Sequence, residues 1–239
     1  MKKIFILLLT ISALKGFAQQ TVITADNVEK RTLSGSFTAI KVSNGIELFI
    51  TQGGEESVAV SASDEKYLEK FKTVVENGTL KIYMEKSDFN WVNTGRRKLK
   101  AFVSFKVLEK LHASSGAEVQ AKSVLKLPYL EMDFSSGASF TGRVETDALT
   151  VEQNSGAEIT LTGSAEKATL SLNSGATFSG YDFATAYCDA KATSGAGIRI
   201  TVNKEINAKA NSGGGIKFKG SGGIKDLSVN SGGSVKRVS

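Results

Sequence analysis

The chain has 239 residues with 24 glycines and only one proline, one cysteine and one histidine. That is long enough for a sizeable core, but one cysteine forms no internal disulfide and one histidine anchors no histidine-rich metal site. The formal charge of +6 falls to +3 without residues 1–18, which carry Lys2, Lys3, Lys15 and no acid, leaving 27 basic against 24 acidic residues. Such a balance is not a nucleic-acid footprint.

Residues 1–18 read as a signal peptide. Lys2 and Lys3 precede an apolar run from Ile4 to Leu14, and Gly16-Phe17-Ala18 puts small residues where a signal peptidase reads. The mature protein is expected to start near Gln19, exported to the periplasm, the outer surface or the medium. No cysteine follows the run, so no lipoprotein anchor is expected, and no later stretch suits a transmembrane helix.

Residues 19–111 read as a mixed β region with one short helix. Ser43-Asn44-Gly45-Ile46 marks a corner, with Ile40 and Val42 before it and Ile46, Leu48 and Ile50 after it alternating on one face. Ser63 or Asp64 caps a short helix whose Leu68 and Phe71 face one way, and Asn77-Gly78 predicts a hairpin turn before Leu80, Ile82 and Met84. A polar loop follows, in which Asp88-Phe89-Asn90-Trp91 combines with Arg96 and Arg97. Aromatic rings beside cations make Phe89, Trp91, Arg96 and Arg97 the candidate ligand-binding loop, with an acidic glycan or membrane surface as its partner and a solvated loop as the bland reading. Leu99, Ala101, Val103, Phe105 and Val107 then predict a continuous strand.

Residues 112–239 form a repeat array continuous with that region. Ser114-Ser115-Gly116-Ala117 recurs as Ser135-Ser136-Gly137-Ala138, Asn154-Ser155-Gly156-Ala157, Asn173-Ser174-Gly175-Ala176, Thr193-Ser194-Gly195-Ala196, Asn211-Ser212-Gly213-Gly214 and Asn230-Ser231-Gly232-Gly233, every 18 to 21 residues. Positions seven, five and three before the glycines from Gly137 to Gly213 are apolar or small, as in Ala168, Leu170 and Leu172, apart from Gln153. Positions one, three and five after them are too, as in Ala196, Ile198 and Ile200. Two period-two arms flanking a glycine bend predict an all-β, parallel, right-handed β-helix of about 19-residue coils, in which the corner polar residues stack as a ladder. Stretches such as Gly163-Ser164-Ala165-Glu166 close each coil with a turn or short third strand.

No catalytic, metal or cofactor constellation emerges. His112 points outward with no second histidine or cysteine, and the corner serines lack a base. Cys188 replaces an inward aliphatic residue. Glu118 and Glu158 stand two coils apart, about 10 Å, too wide for a retaining glycosidase pair. Phe134, Phe140, Phe178 and Phe218 fall inward, whereas Tyr129, Tyr181 and Tyr187 are candidate outward rings.

Phe37-Thr38-Ala39-Ile40-Lys41-Val42-Ser43-Asn44-Gly45-Ile46-Glu47-Leu48, the following Thr51-Gln52-Gly53, Asn77-Gly78-Thr79-Leu80-Lys81-Ile82 and the Ser-Gly-Ala array together resemble the head GIN domain family. The resemblance spans about residues 37–235, and departs from the name-giving tripeptide in having Glu47 after Gly45-Ile46. It implies an auto-transporter adhesin head in exported proteins of Bacteroidetes-type bacteria, without catalytic residues. The expected function is an exported, non-enzymatic, adhesin-like module of the cell envelope that binds a surface glycan or envelope protein. A carbohydrate-cleaving β-helix enzyme and a ligand-free scaffold are the alternatives. The last coil leaves an open strand edge whose Lys217, Lys219, Lys225, Lys236 and Arg237 discourage pairing, so a monomer with weak edge association is expected.

Overall fold

A computed structural model of the protein describes residues 4–7, 23–26, 28–85 and 98–239. Strand β1 (Ile4–Leu7) pairs antiparallel with β2 (Ile23–Asp26), apart from the main sheet. All strands from Val28 onward belong to one hydrogen-bonded sheet that winds into a β-solenoid of about seven turns at roughly 19-residue spacing.

The N-terminal end is capped by antiparallel pairing. Strands β3 (Val28–Arg31), β4 (Ala39–Val42), β5 (Glu47–Gln52) and β6 (Ser57–Ala62) lead into helix α1 (Glu65–Leu68), and then β7 (Phe71–Glu76), β8 (Thr79–Met84) and β9 (Leu99–Phe105) follow. Asp64 caps α1 by accepting from the Lys66 amide, as the sequence suggested, while Asn77 and Gly78, both at positive φ, turn β7 into β8. β8 lies parallel to β4 and β9 parallel to β5, so together they form a rung stacked on the Gly45 corner. β7 and β6 run antiparallel on this rung, and β3 on β6, which covers the strand edges that a bare parallel coil would expose. Val107 departs from expectation: it is 46% exposed, because β9 ends at Phe105 and Leu108 takes the next inward place.

The array continues with β10 (Lys110–Ala113), β11 (Glu118–Ala121), β12 (Leu125–Phe134), β13 (Ser139–Gln153), β14 (Glu158–Leu172), β15 (Thr177–Ala192), β16 (Gly197–Ala210), β17 (Gly215–Lys219), β18 (Gly223–Val229) and β19 (Ser234–Arg237). Between the two arms of each coil the corner is a two-residue turn with both central residues at positive φ, such as Ser155 at 53° and Gly156 at 71°. It is closed by the Ala157 amide donating to the Asn154 carbonyl at 3.2 Å. The corners also stack. The Gly137 amide donates to Ser155 of the next coil and that of Gly156 to Ser174, each at 3.0 Å, while Gly45 joins the line through Ser115 at 2.9 Å. The 70 residues between Gly45 and Gly116 thus contain an insertion that leaves the stacking intact.

Both arms of each coil point inward as the period of two requires. Leu130, Met132 and Phe134 before one corner, and Ala157, Ile159 and Leu161 after the next, are buried. Volume is matched across the interior, since the small Ala190 and Ala192 lie in the same coil as the buried Ile198, Ile200 and Val202. The closing stretch differs from the expected turn: β13 to β16 run through it as single strands of 14 to 16 residues. They bend at irregularities such as Gly163, where φ is 112° and a side chain would strike the Val144 carbonyl. In register with Gly163 stands the buried Phe183, large against small in successive coils. Among the buried polar residues, Gln153 fills an inward arm position and donates to the Ala157 and Thr177 carbonyls at 3.1 and 3.0 Å.

At the other end β18 and β19 each pair on one side only among the described strands, and Ile224, Leu227 and Val229 are 45%, 56% and 43% exposed. Arg237 folds across this end. Its guanidinium lies 5.1 Å from the Phe218 ring and donates to the Gly220 and Gly222 carbonyls.

Candidate functional site

Because consecutive coils pair in register, outward side chains at one repeat offset form columns at the strand spacing of about 4.8 Å. The face preceding the corners carries Glu131, Thr150, Thr169, Asp189 and Asn207 in one such column. At its N-terminal side His112 lies opposite Asp133, with Nδ1 2.9 Å from the carboxylate, and Lys110 lies 3.0 Å from Glu131. His112 does point outward, as its offset indicated. Its acidic partner was missed, although Asp133 occupies the same offset one repeat later. Further along, Tyr187 and Asp189 border a shallow surface depression with Asn207, whose amide donates to Asp189 at 2.6 Å.

The face following the corners carries Glu118, Ser139 and Glu158 in register, so the two carboxylates stand two rungs apart with a serine between them. The next outward column runs Gln120, Thr141, Thr160, Ser179, Arg199, Lys217 and Lys236. The sequence reading followed the first of these columns and stopped short of the second, four residues past each glycine. The period already contained it.

Of the outward rings, Tyr129 and Tyr187 are exposed and Tyr181 half-buried; Lys204 sits 5.0 Å over Tyr187 and Lys219 4.9 Å over Tyr181. Phe49, which strand alternation also places outward, stacks on Phe102 at 5.3 Å with Lys122 4.7 Å above it. Phe134, Phe140, Phe178 and Phe218 are core.

The candidate loop residues Phe89, Trp91, Arg96 and Arg97 lie outside the described residues. The flanking strands do place its ends. β8 stops at Met84, whose amide donates to Asn44 Oδ1 at 3.2 Å, so the segment leaves the frame beside the Asn44-Gly45 corner. Lys100, which follows it, pairs with Glu47 at 3.7 Å.

Cys188 is 3% exposed, and burial pushes its thiol up to about 12, so it packs as a hydrophobe and supplies no nucleophile at neutral pH. Among the described residues no three His, Cys, Asp or Glu side chains come together to hold a metal ion, and no helix is long and apolar enough to cross a membrane.

These features define a β-solenoid whose interior holds the fold and whose outward columns form extended, regular surfaces. The chain belongs to the family described as "Putative auto-transporter adhesin, head GIN domain", whose model matches residues 36–222. Among solved structures it is similar to a "putative adhesin" from Bacteroides fragilis (18% identity, 88% of this chain and 96% of that one covered, TM-score 0.80). It is also similar to a "putative adhesin" from Parabacteroides merdae (20%, 89% and 96%, TM-score 0.69). A "putative lipid binding protein" from Parabacteroides distasonis shares the fold as well (19%, 89% and 96%, TM-score 0.65). No match is found among curated proteins. The family and these neighbours are described as adhesins or a lipid-binding protein, none as an enzyme.

Proposed function

We propose that this protein is an exported, non-catalytic, adhesin-like binding module of the bacterial cell envelope, released near Gln19 by cleavage of its signal peptide. The observation that carries the reading is the set of uninterrupted outward columns on a rigid frame, which offers a long ligand many weak, regularly spaced contacts instead of one deep pocket. Family membership supports it, and the segment holding Phe89, Trp91, Arg96 and Arg97 is a second contact site. Where carboxylates lie in register on neighbouring rungs, Glu47 beside Glu118 and Asp133 beside Glu152, one of each pair is engaged by Lys100 or His112, and Glu118 and Glu158 stand two rungs apart, a poor arrangement for acid and base catalysis.

The test is a screen of the purified protein against envelope polysaccharides and intact cells, reading both retention and released oligosaccharide. Retention without release is expected. Released product would establish the carbohydrate-cleaving alternative, and neither retention nor release would leave a ligand-free scaffold.

A further inference from the structure

Several surface cations on this solenoid have acidic partners, while others, such as Lys191 opposite Lys209, form no ion pair with a described residue. Lys110 pairs with Glu131, Lys126 and Arg143 with Glu145, Lys100 with Glu47, and Lys225 with Glu205. The column four residues past the corners gathers three such unpaired cations at its C-terminal end. Arg199, Lys217 and Lys236 lie directly opposite one another on three successive rungs, all exposed, and none forms an ion pair with another described residue. No Asp or Glu occurs in residues 177–181, 197–201, 215–219 or 234–237, the outward segments around them. Like charges opposite one another across a strand pair weaken a sheet, so the frame gains nothing from this arrangement.

A second observation is independent of charge. The column beside the cations holds Thr177 and then Gly197, Gly215 and Ser234. Neither Gly197 nor Gly215 has positive φ; a β-carbon on Gly197 would meet nothing within 4 Å, and one on Gly215 would make only ordinary contact with Ser234 Oγ at 3.5 Å. Folding therefore does not require glycine at either position, and glycine inside a strand costs stability relative to a residue with a side chain. What the glycines leave is a flat floor along the cation column, open to the close approach of another chain.

We infer that Arg199, Lys217 and Lys236, with the floor of Gly197 and Gly215, form the binding surface for a linear anionic polysaccharide. The inference rests on the proposed function and names its ligand class. A chain carrying one anionic group per sugar can meet one cation per rung, at about 4.8 Å per rung. The same column continues through Ser179, Thr160, Thr141 and Gln120, neutral donors and acceptors that suit sugar hydroxyls. A bilayer fits less well, because the apolar rings in register with this column, Phe49 stacked on Phe102, stand at its far end beyond Gln120, five rungs from Arg199, and leave the cations without an adjacent apolar anchor.

The test uses the mature protein and four probes: polygalacturonate, neutral pullulan, phosphatidylglycerol vesicles and intact bacterial cells. Retention on polygalacturonate is expected, weakening as salt rises and falling about tenfold in the Arg199→Ser, Lys217→Thr, Lys236→Thr variant. The Lys110→Thr, Lys126→Thr variant removes cations from other columns and keeps wild-type retention. Gly197→Thr with Gly215→Thr raises the melting temperature while lowering retention, which separates loss of binding from loss of fold. Equal retention by the triple variant overturns the inference, as does retention on vesicles with none on polygalacturonate. Binding to pullulan or cells alone overturns it while leaving the binding-module reading in place. Retention on none of the four probes overturns both.

Discussion

Two glycines one bend apart have different reasons to be glycine, and substituting each with alanine separates them. Gly156 sits in a corner at φ 71° with nothing within 4 Å of where a β-carbon would stand. Gly156→Ala therefore meets only the left-handed backbone penalty, about 1 to 2 kcal/mol. Gly163 lies at φ 112°, and a β-carbon there would fall 2.1 Å from the Val144 carbonyl oxygen and 2.9 Å from its carbon. These atoms belong to the backbone of the preceding rung, paired in register with Gly163, so no side-chain rotation relieves the clash. Relief requires the rung to open. Adding local strain to at least one lost buried hydrogen bond gives a cost of about 3 to 5 kcal/mol for Gly163→Ala. Equilibrium urea unfolding of both variants, followed by circular dichroism, measures the difference. Equal losses, or a larger loss for Gly156→Ala, would refute the assignment of the bend to the close approach at Gly163.

Leu170→Ala empties an inward position flanked in register by Val151 and Ala190 and should cost about 2 to 5 kcal/mol, against under about 1 for the outward Thr169→Ala. Equal unfolding midpoints would contradict the register. Ser155→Asn should stabilise by about 0.5 kcal/mol, since asparagine tolerates positive φ better than serine and already fills the equivalent place at Asn44; a lower unfolding midpoint would contradict this. A thiol reagent should label Cys188 only upon unfolding, and rapid labelling of the folded protein would contradict its burial. Because its folded-state pKa is raised from 9.0 to about 12, the unfolded chain loses that proton first, so stability should decline as pH rises through that window and not below it. The protein should scatter light as a monomer, and Lys236→Val with Arg237→Val should promote association through the exposed edge at Ile224, Leu227 and Val229. A salt-insensitive oligomer of the unmodified protein would contradict that.

The interior was legible because burial in a β-coil obeys a period of two. Once the glycines fixed the phase, every side chain from Ala168 to Leu172 had a stated direction, and the structure agrees. The closing bends were less legible, since Gly163 and its neighbours serve strands that bend without ending, and composition does not distinguish a bend from a turn. The corner serines concealed a feature too. Their positive φ is unusual for serine and is required by the two-residue turn that each repeat closes with its own hydrogen bond, a turn that Ser-Gly signals less clearly than Asn-Gly. Column chemistry was written in the sequence but needs comparison across repeats: His112 finds Asp133, and Arg199 finds Lys217 and Lys236, only when the coils are aligned by their glycines.

Lysine acylation footprinting with and without polygalacturonate tests the central claim most directly, that the outward columns present a localised binding surface. The reaction rate at each lysine is read by mass spectrometry in one experiment. Protection is expected at Lys217 and Lys236, with Lys72, Lys110 and Lys126 on other columns reacting at unchanged rates. Uniform slowing of all lysines, or protection centred on Lys110 and Lys126, would contradict the account.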